Sequence, residues 1–141
     1  MTRATTARGR AGDCPTEAEW EYATRGGSTG ARYGSLGEVA WYNENSESKT
    51  HPVEEKRANG FGLYDMLGNV WEWANDWYDP NYYQNSPSQD PKGPTSGTLR
   101  VLRGGAWISG AGNVRVSGRS MGFPGGDGIK GVRCGGEMSA P

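Results

Sequence analysis

The 141-residue chain contains no apolar run approaching the roughly 18 residues that a membrane-spanning helix requires, which excludes a helical span. It has one histidine and two cysteines, too few for a four-ligand structural zinc site. It also lacks an excess of either charge. Fifteen basic and 16 acidic residues are mixed along the chain, for a net charge of −1. There is neither the basic stripe that favours nucleic acid nor the acidic block of an interaction tail. The opening MTRATTARGRAG is positively charged, but no apolar stretch follows it, so it does not read as a secretory signal. Location is therefore expected to be cytoplasmic by default, with surface display left open. Aliphatic side chains are scarce too: 33% of residues are hydrophobic, against an ordinary share of about 45–50%.

What the chain does have is 24 glycines, six tryptophans and seven tyrosines. A Gly-rich chain poor in aliphatics could stay disordered. The aromatics argue otherwise, since each can bury about 150–250 Å². The length suits one domain able to bury roughly two-thirds of its unfolded surface. The expectation is one compact, loop-rich domain over 14–136, with poorly ordered tails at 1–13 and 137–141. Cys14 and Cys134 could close a long loop, which stabilises by about 4–5 kcal/mol in the chain-entropy model. They could equally be buried thiols; the spacing leaves both open.

Residues 15–27 read as a helix. Thr16 and Glu19 form a Thr-x-x-Glu capping box after Pro15, and Gly26-Gly27 supplies a left-handed stop. Trp20 and Tyr22 are its expected anchors in the core. Residues 28–60 show no sustained period and read as a long ordered loop pinned by Trp41, with His51 in a structural role. In 61–79, Asp65-Met66-Leu67 suits a helical turn ending at Gly68-Asn69. Val70 to Trp73 then alternates as a strand, with Trp71 and Trp73 on one face and Glu72 on the other. Residues 80–98 read as surface loop. Strands are expected at 100–107, at 114–116 and at 131–134, with a Gly-rich loop over 117–130.

Four motifs occur in order: PTEAEWEYATRGG (15–27), NGFGLYDMLGNVWEW (59–73), RVLRGGAW (100–107) and GVRC (131–134). Together they resemble the formylglycine-generating enzyme, or sulfatase-modifying factor, family. The resemblance implies an α+β, C-type-lectin-like fold with short helices, small antiparallel sheets and much irregular loop. Two departures bear on function. Family members carry a further N-terminal portion before the motif at 15–27, whereas fourteen residues precede Pro15 here. The family enzymes also hold copper on a cysteine pair shortly after their Gly-Gly-Ser-Tyr segment, and soft thiolates suit that ion. The matching segment here, 104–113, contains no cysteine. The resemblance therefore implies no catalytic residues and no copper in this chain. A formylglycine-generating-type oxidoreductase, or a fragment of one, is the alternative. Cys134 falls on the family's Gly-Phe-Arg-Cys end, a disulfide position in some members, and Cys14 sits near the region of its usual partner. The resemblance is compatible with a Cys14–Cys134 bridge and leaves open whether it forms.

In the family the segment matching GLYDMLGNVWEW holds calcium. Carried over, Asp65 and Glu72 would give carboxylates, and Gly68 and Val70 backbone carbonyls, in keeping with calcium's preference for six to eight hard oxygens. Val39 and Ala40 stand where the family's other metal position expects Asn, so one structural calcium site is expected. The C-terminal part resembles the variable proteins of diversity-generating retroelements, whose fixed points match Arg103-Gly104-Gly105, Arg115, Arg119, Pro124 and Gly131-Val132-Arg133-Cys134. The expected ligand-binding residues are Trp107, Ile108, Ser109, Asn113, Ser117, Arg119, Ser120, Met121, Phe123 and Asp127. Loops on a fixed scaffold concentrate ligand contacts, and large apolar side chains in a Gly- and Pro-containing loop suit a protein partner. The expected partner is a protein ligand on this C-terminal face, without nucleic acid or membrane. An open sheet edge left by the short N-terminus would favour self-association.

Overall fold

The computed structural model describes residues 14–133. The expected tails at 1–13 and 137–141, and Cys134, on which the question of a bridge to Cys14 turns, lie outside these residues. Helix α1 spans Glu17–Arg25 and begins as its sequence dictates. Thr16 Oγ1 accepts from the Glu19 amide at 3.2 Å, and the Glu19 carboxylate accepts from the Thr16 amide at 2.8 Å. Gly26, at φ +53°, ends the helix. Asn59 then donates from Nδ2 to the carbonyls of Ala23 and Thr24, at 2.6 and 3.0 Å, and closes the C-terminus. One face is buried, formed by Glu17, Trp20 and Thr24 at helical spacing. Trp20 is 1% exposed, but Tyr22 is 65% exposed and lies against Phe61 instead of the core. Two residues past Trp20 is the wrong side of a helix, so only one ring anchors α1.

The segment 28–60 is less irregular than its composition suggests. It forms a short helix α2 (Leu36–Val39) and strand β1 (Ala40–Trp41). Strand β1 pairs in parallel with β2 (Leu67–Gly68), with Ala40 opposite Leu67. No helical turn forms at 65–67. Asp65, Gly68 and Asn69 all have positive φ, at +56°, +77° and +65°, which breaks a right-handed turn at each. Trp41 is half-buried and stacks on His51 at 3.6 Å, with the Lys56 ammonium 3.9 Å from its ring centroid. His51 Nε2 lies 2.7 Å from the Ser46 carbonyl, and Asn69 bonds the His51 main chain in both directions. The histidine is part of the scaffold.

Four strands make the main sheet, in the order β5 (Arg119–Gly122), β4 (Arg100–Arg103), β3 (Trp71–Trp77), β6 (Lys130–Gly131). The β5/β4 and β4/β3 pairs are antiparallel and β3/β6 is parallel. Strand β4 ends at Arg103, because Gly104 and Gly105 turn away at φ +94° and +80°. The region 117–130, expected as loop, therefore contributes β5. The region 114–116, expected as a strand, is a turn whose two valines are fully buried. Strand β3 runs on to Trp77, and its facing opposes simple amphipathicity: Glu72, Ala74 and Asp76 are buried, while Trp71, Trp73 and Trp77 are half-buried on the other side.

The apolar centre joins Trp20, Val39, Ala40, Met66, Leu67, Val114 and Val116. Full burial of side chains of the valine or leucine kind stabilises by about 1.5–3 kcal/mol each. This cluster ties α1, the β1/β2 corner and the C-terminal segment into one core.

Candidate functional site

The inward acids of β3 are explained by partners from distant parts of the chain. Glu72 accepts from Trp20 Nε1 at 2.8 Å and receives Arg133 on both oxygens, Nη2 at 2.7 Å and Nε at 2.9 Å. Arg133 also donates to the carbonyls of Tyr64 and Asp65. Asp76 Oδ1 accepts the Glu17 amide at 2.8 Å, which places a carboxylate at the positive start of α1. Burial, together with the nearby Glu17 carboxylate, raises the Asp76 pKa above the usual aspartate value. Glu17 is the centre of a second cluster. Arg103 Nη1 reaches it at 2.7 Å, Arg119 Nε at 2.6 Å and Arg119 Nη2 at 3.0 Å. Arg103 extends the network to Glu21 and to the Val116 carbonyl, both at 2.5 Å. Helix α1 is thus joined by charge to β4 and β5, the strands that carry the C-terminal segment.

The same segment is held by its backbone. The Trp107 amide donates to the Asn69 carbonyl at 2.8 Å, and Ser46 Oγ donates to the Trp107 carbonyl at 2.9 Å. The Asn43 amide bonds the Ser109 carbonyl at 3.1 Å. Arg32 donates to the carbonyls of Val114 and Ala111, at 2.7 and 2.5 Å, and pins the 3₁₀ turn Ala111–Asn113. The backbone from 107 to 116 is therefore fixed, while several of its side chains are free to face solvent.

Of the ten residues expected to bind, Ile108, Asn113, Ser117, Met121, Phe123 and Asp127 are exposed, and Trp107 and Ser120 are half-buried. Phe123 is 67% exposed, Ile108 59% and Met121 44%. Two of the ten are turned inward. Ser109 is buried, and its Oγ accepts the Ala106 amide at 2.9 Å. Arg119 is committed to Glu17 and donates as well to the Asp79 carbonyl, at 3.1 Å. The register separates the exposed residues. Arg119 lies opposite Arg103 and Gly122 opposite Arg100, so Phe123 stands past the start of β4 and Ile108 past its end. They occupy two ends of one strand pair. The sequence reading missed Tyr83 and Val132, both exposed, and Arg32. Tyr83 sits in a 3₁₀ turn over 82–84 and lies 5.1 Å from the Arg119 guanidinium, a contact between segments with no local sign.

The four residues expected to hold calcium, Asp65, Gly68, Val70 and Glu72, line one cavity of about 20 Å³, together with Asn69 and Arg133 among others. That is room for about one water-sized sphere. The oxygens are hard, and desolvation raises the Asp65 pKa although the Glu54 amide (2.7 Å from Oδ2) and Arg133 pull it down. A carboxylate under that penalty suits a cation. Arg133 already neutralises Glu72, so the added ion would rely chiefly on Asp65 and the carbonyls. The Asp65 carboxylate and the Gly68 and Val70 carbonyls are oxygens of the kind calcium takes, whereas both Glu72 oxygens are already paired, and among the described residues no group of three or more His, Cys, Asp or Glu side chains is placed to hold a metal ion.

Residues 6–135 match the model of the sulfatase-modifying factor enzyme 1-like domain. The formylglycine-generating enzyme of Streptomyces coelicolor is 43% identical, over 85% of this chain and 45% of the enzyme. The serine/threonine-protein kinase pkn1 of Chlamydia caviae is 44% identical, over 85% of this chain and 20% of the kinase. Among solved structures, Treponema denticola variable protein 1 superposes with a TM-score of 0.79 at 44% identity, covering 84% of this chain and 45% of that protein. The chain spans less than half the length of these relatives. The α+β, C-type-lectin-like architecture is the one these matches share with it. No helix among the described residues is long and apolar enough to cross a membrane.

Proposed function

The chain belongs to the sulfatase-modifying factor enzyme 1-like domain family, and from that premise we propose that it is a non-catalytic binding module presenting its C-terminal segment to a protein ligand. One observation carries the reading. Ile108, Met121 and Phe123 project into solvent from a segment that Arg103, Arg119 and backbone bonds tie to the core. Large apolar side chains on a rigid frame are the anchors that dominate protein interfaces, and a pre-formed frame lowers the ordering cost of binding. The likeness to Treponema denticola variable protein 1 supports the same reading. Changing Met121 and Phe123 together to Ser tests it. The double variant keeps its melting temperature to within about 2 °C, since both side chains are exposed. Its affinity for a protein ligand isolated on the parent domain falls about 100-fold, as expected for two interface anchors. A loss of stability above about 2 kcal/mol would instead place the two side chains among the packing residues.

The enzyme reading is favoured by the identity to formylglycine-generating enzymes. Against it stands the segment 104–113, which contains no cysteine to hold copper. Turnover of a thiol substrate by the purified chain with copper or iron would overturn the binding-module reading.

The corner cavity is proposed as a structural calcium site that relies chiefly on the Asp65 carboxylate and the Gly68 and Val70 carbonyls, with Glu72, shared with Arg133 and Trp20, as the second carboxylate. The sign of its linkage follows from Asp65. Its pKa is raised in the folded state, so the native protein binds the extra proton. In chelator, stability is therefore lost as pH rises from the unfolded aspartate value through the raised one. Calcium at 100 times its Kd restores about 2.7 kcal/mol at neutral pH. Asp65→Asn, measured by thermal unfolding, removes both effects: it is at least as stable as the parent in chelator and gains nothing from calcium. A parent protein indifferent to calcium would end the proposal.

A further inference from the structure

The stretch Phe123-Pro124-Gly125-Gly126-Asp127-Gly128-Ile129 contains three glycines and follows another, Gly122. Glycine loses more conformational freedom on ordering than any other residue, so such a loop needs specific restraint to hold one shape. Its ends have it. Phe123 to Gly126 forms a turn in which the Gly126 amide bonds the Phe123 carbonyl at 3.0 Å. Pro124 precedes Gly125, whose φ is +74°, as a type II turn requires. At the far end the Trp71 amide bonds the Ile129 carbonyl at 3.1 Å, and Lys130 joins β6 opposite Trp71.

The middle is held by Lys130, whose amide bonds the Gly128 carbonyl at 2.9 Å and whose side chain reaches further in. Lys130 Nζ donates to the carbonyls of Gly126 and Asp127, at 3.3 and 3.2 Å. It stands 5.2 Å from the centre of the Trp73 ring. A methyl group on Gly122 would lie 3.3 Å from Nζ, on Gly126 3.4 Å and on Gly128 3.8 Å. Glycines therefore surround the ammonium, and they leave it the space at the loop's centre. An ammonium has three donors and a large hydration shell. Here two backbone carbonyls and an aromatic face stand in for part of that shell. The loop has no apolar interior of its own, and the lysine serves in its place.

We propose that Lys130 is a positioning residue for the display loop: its ammonium, seated between the Trp73 ring and the carbonyls of Gly126 and Asp127, holds 123–129 in the shape that presents Phe123 to a protein ligand. The functional consequence rests on the binding-module reading; the ordering of the loop does not.

Lys130→Met keeps a long stem over Trp73 and removes the donors. Exchange of the Gly126 amide, which donates to the Phe123 carbonyl, rises about tenfold in this variant, while amides in β3 and β4 keep their protection. Affinity for a protein ligand that depends on Phe123 falls about tenfold, mostly through faster dissociation. Lys130→Arg, which restores cationic donors, recovers part of both losses. Should Lys130→Met unfold, the parent protein decides: its Lys130 Nζ protons carry a ring-current shift from Trp73 and exchange more slowly than those of exposed Lys92. Unchanged loop exchange in a folded Lys130→Met, or Nζ protons matching those of Lys92, overturns the inference. A ligand indifferent to Phe123→Ser overturns the binding-surface reading instead, whatever Lys130 does.

Discussion

Glu17→Ala is expected to remove about 3–5 kcal/mol of stability, the cost of stranding buried charge, and to lower the melting temperature by roughly 10–20 °C. The glutamate is surrounded by two guanidinium groups, and the side chains of Glu17 and Arg103 are only 2% and 1% exposed. With the carboxylate gone, Arg103 keeps Glu21 and the Val116 carbonyl but loses its more buried carboxylate partner. Arg119, 20% exposed, can turn to solvent, so Arg119→Leu should cost less than half as much. Chemical denaturation of the two single variants and their double mutant measures the coupling. If Glu17→Ala unfolds at the parent's midpoint, the network does not hold α1 to β4 and β5. The ligand-binding reading would then lose its rigid frame.

That network also marks the limit of what the sequence discloses. Helix α1 is legible because its signals are local: Thr16, Glu19 and Gly26 bond within the helix's own turns. The exposed Met121 and Phe123 are legible because large apolar side chains among Gly and Pro lack a core of their own. The facing of β3 is not legible, because alternation assigns Trp to the inside and Glu to the outside. The carboxylates face inward because Trp20 and Arg133, 52 and 61 residues away, meet Glu72 there. The inward tie of Arg119 is hidden for the same reason. An arginine in a candidate binding segment resembles an interface residue until its partner, 102 positions earlier, is known. Strands β1 and β2, two residues each, are too short to show any period. The four residues proposed for calcium lie within eight positions of one motif, and the fold brings them to one cavity.

Gly68→Ala is expected to cost roughly 2–6 kcal/mol, the sum of backbone strain and overpacking at about 1–3 each. Gly68 has φ +77°, which disfavours any L side chain. Its added methyl would lie 2.3 Å from the Trp41 carbonyl oxygen and 2.9 Å from the Trp41 nitrogen. Both are backbone atoms of the paired strand and cannot rotate aside, so the β1/β2 pairing must open. The damage would spread along identified bonds. The Gly68 amide donates to the Gly104 carbonyl, and Asn69 links the Trp41 carbonyl to the Trp107 amide, all at 2.8 Å. Protection of the Trp107 amide from exchange should therefore fall together with global stability. Gly112→Ala is the matched control, since nothing lies within 4 Å of its added methyl and its φ is not positive. It should be neutral, or stabilising by up to about 1 kcal/mol through the unfolded state. Equal stability of the two variants would mean that β1 and β2 do not approach as closely as this register requires. The corner could then not transmit order from the candidate metal cavity to the residues that face a ligand.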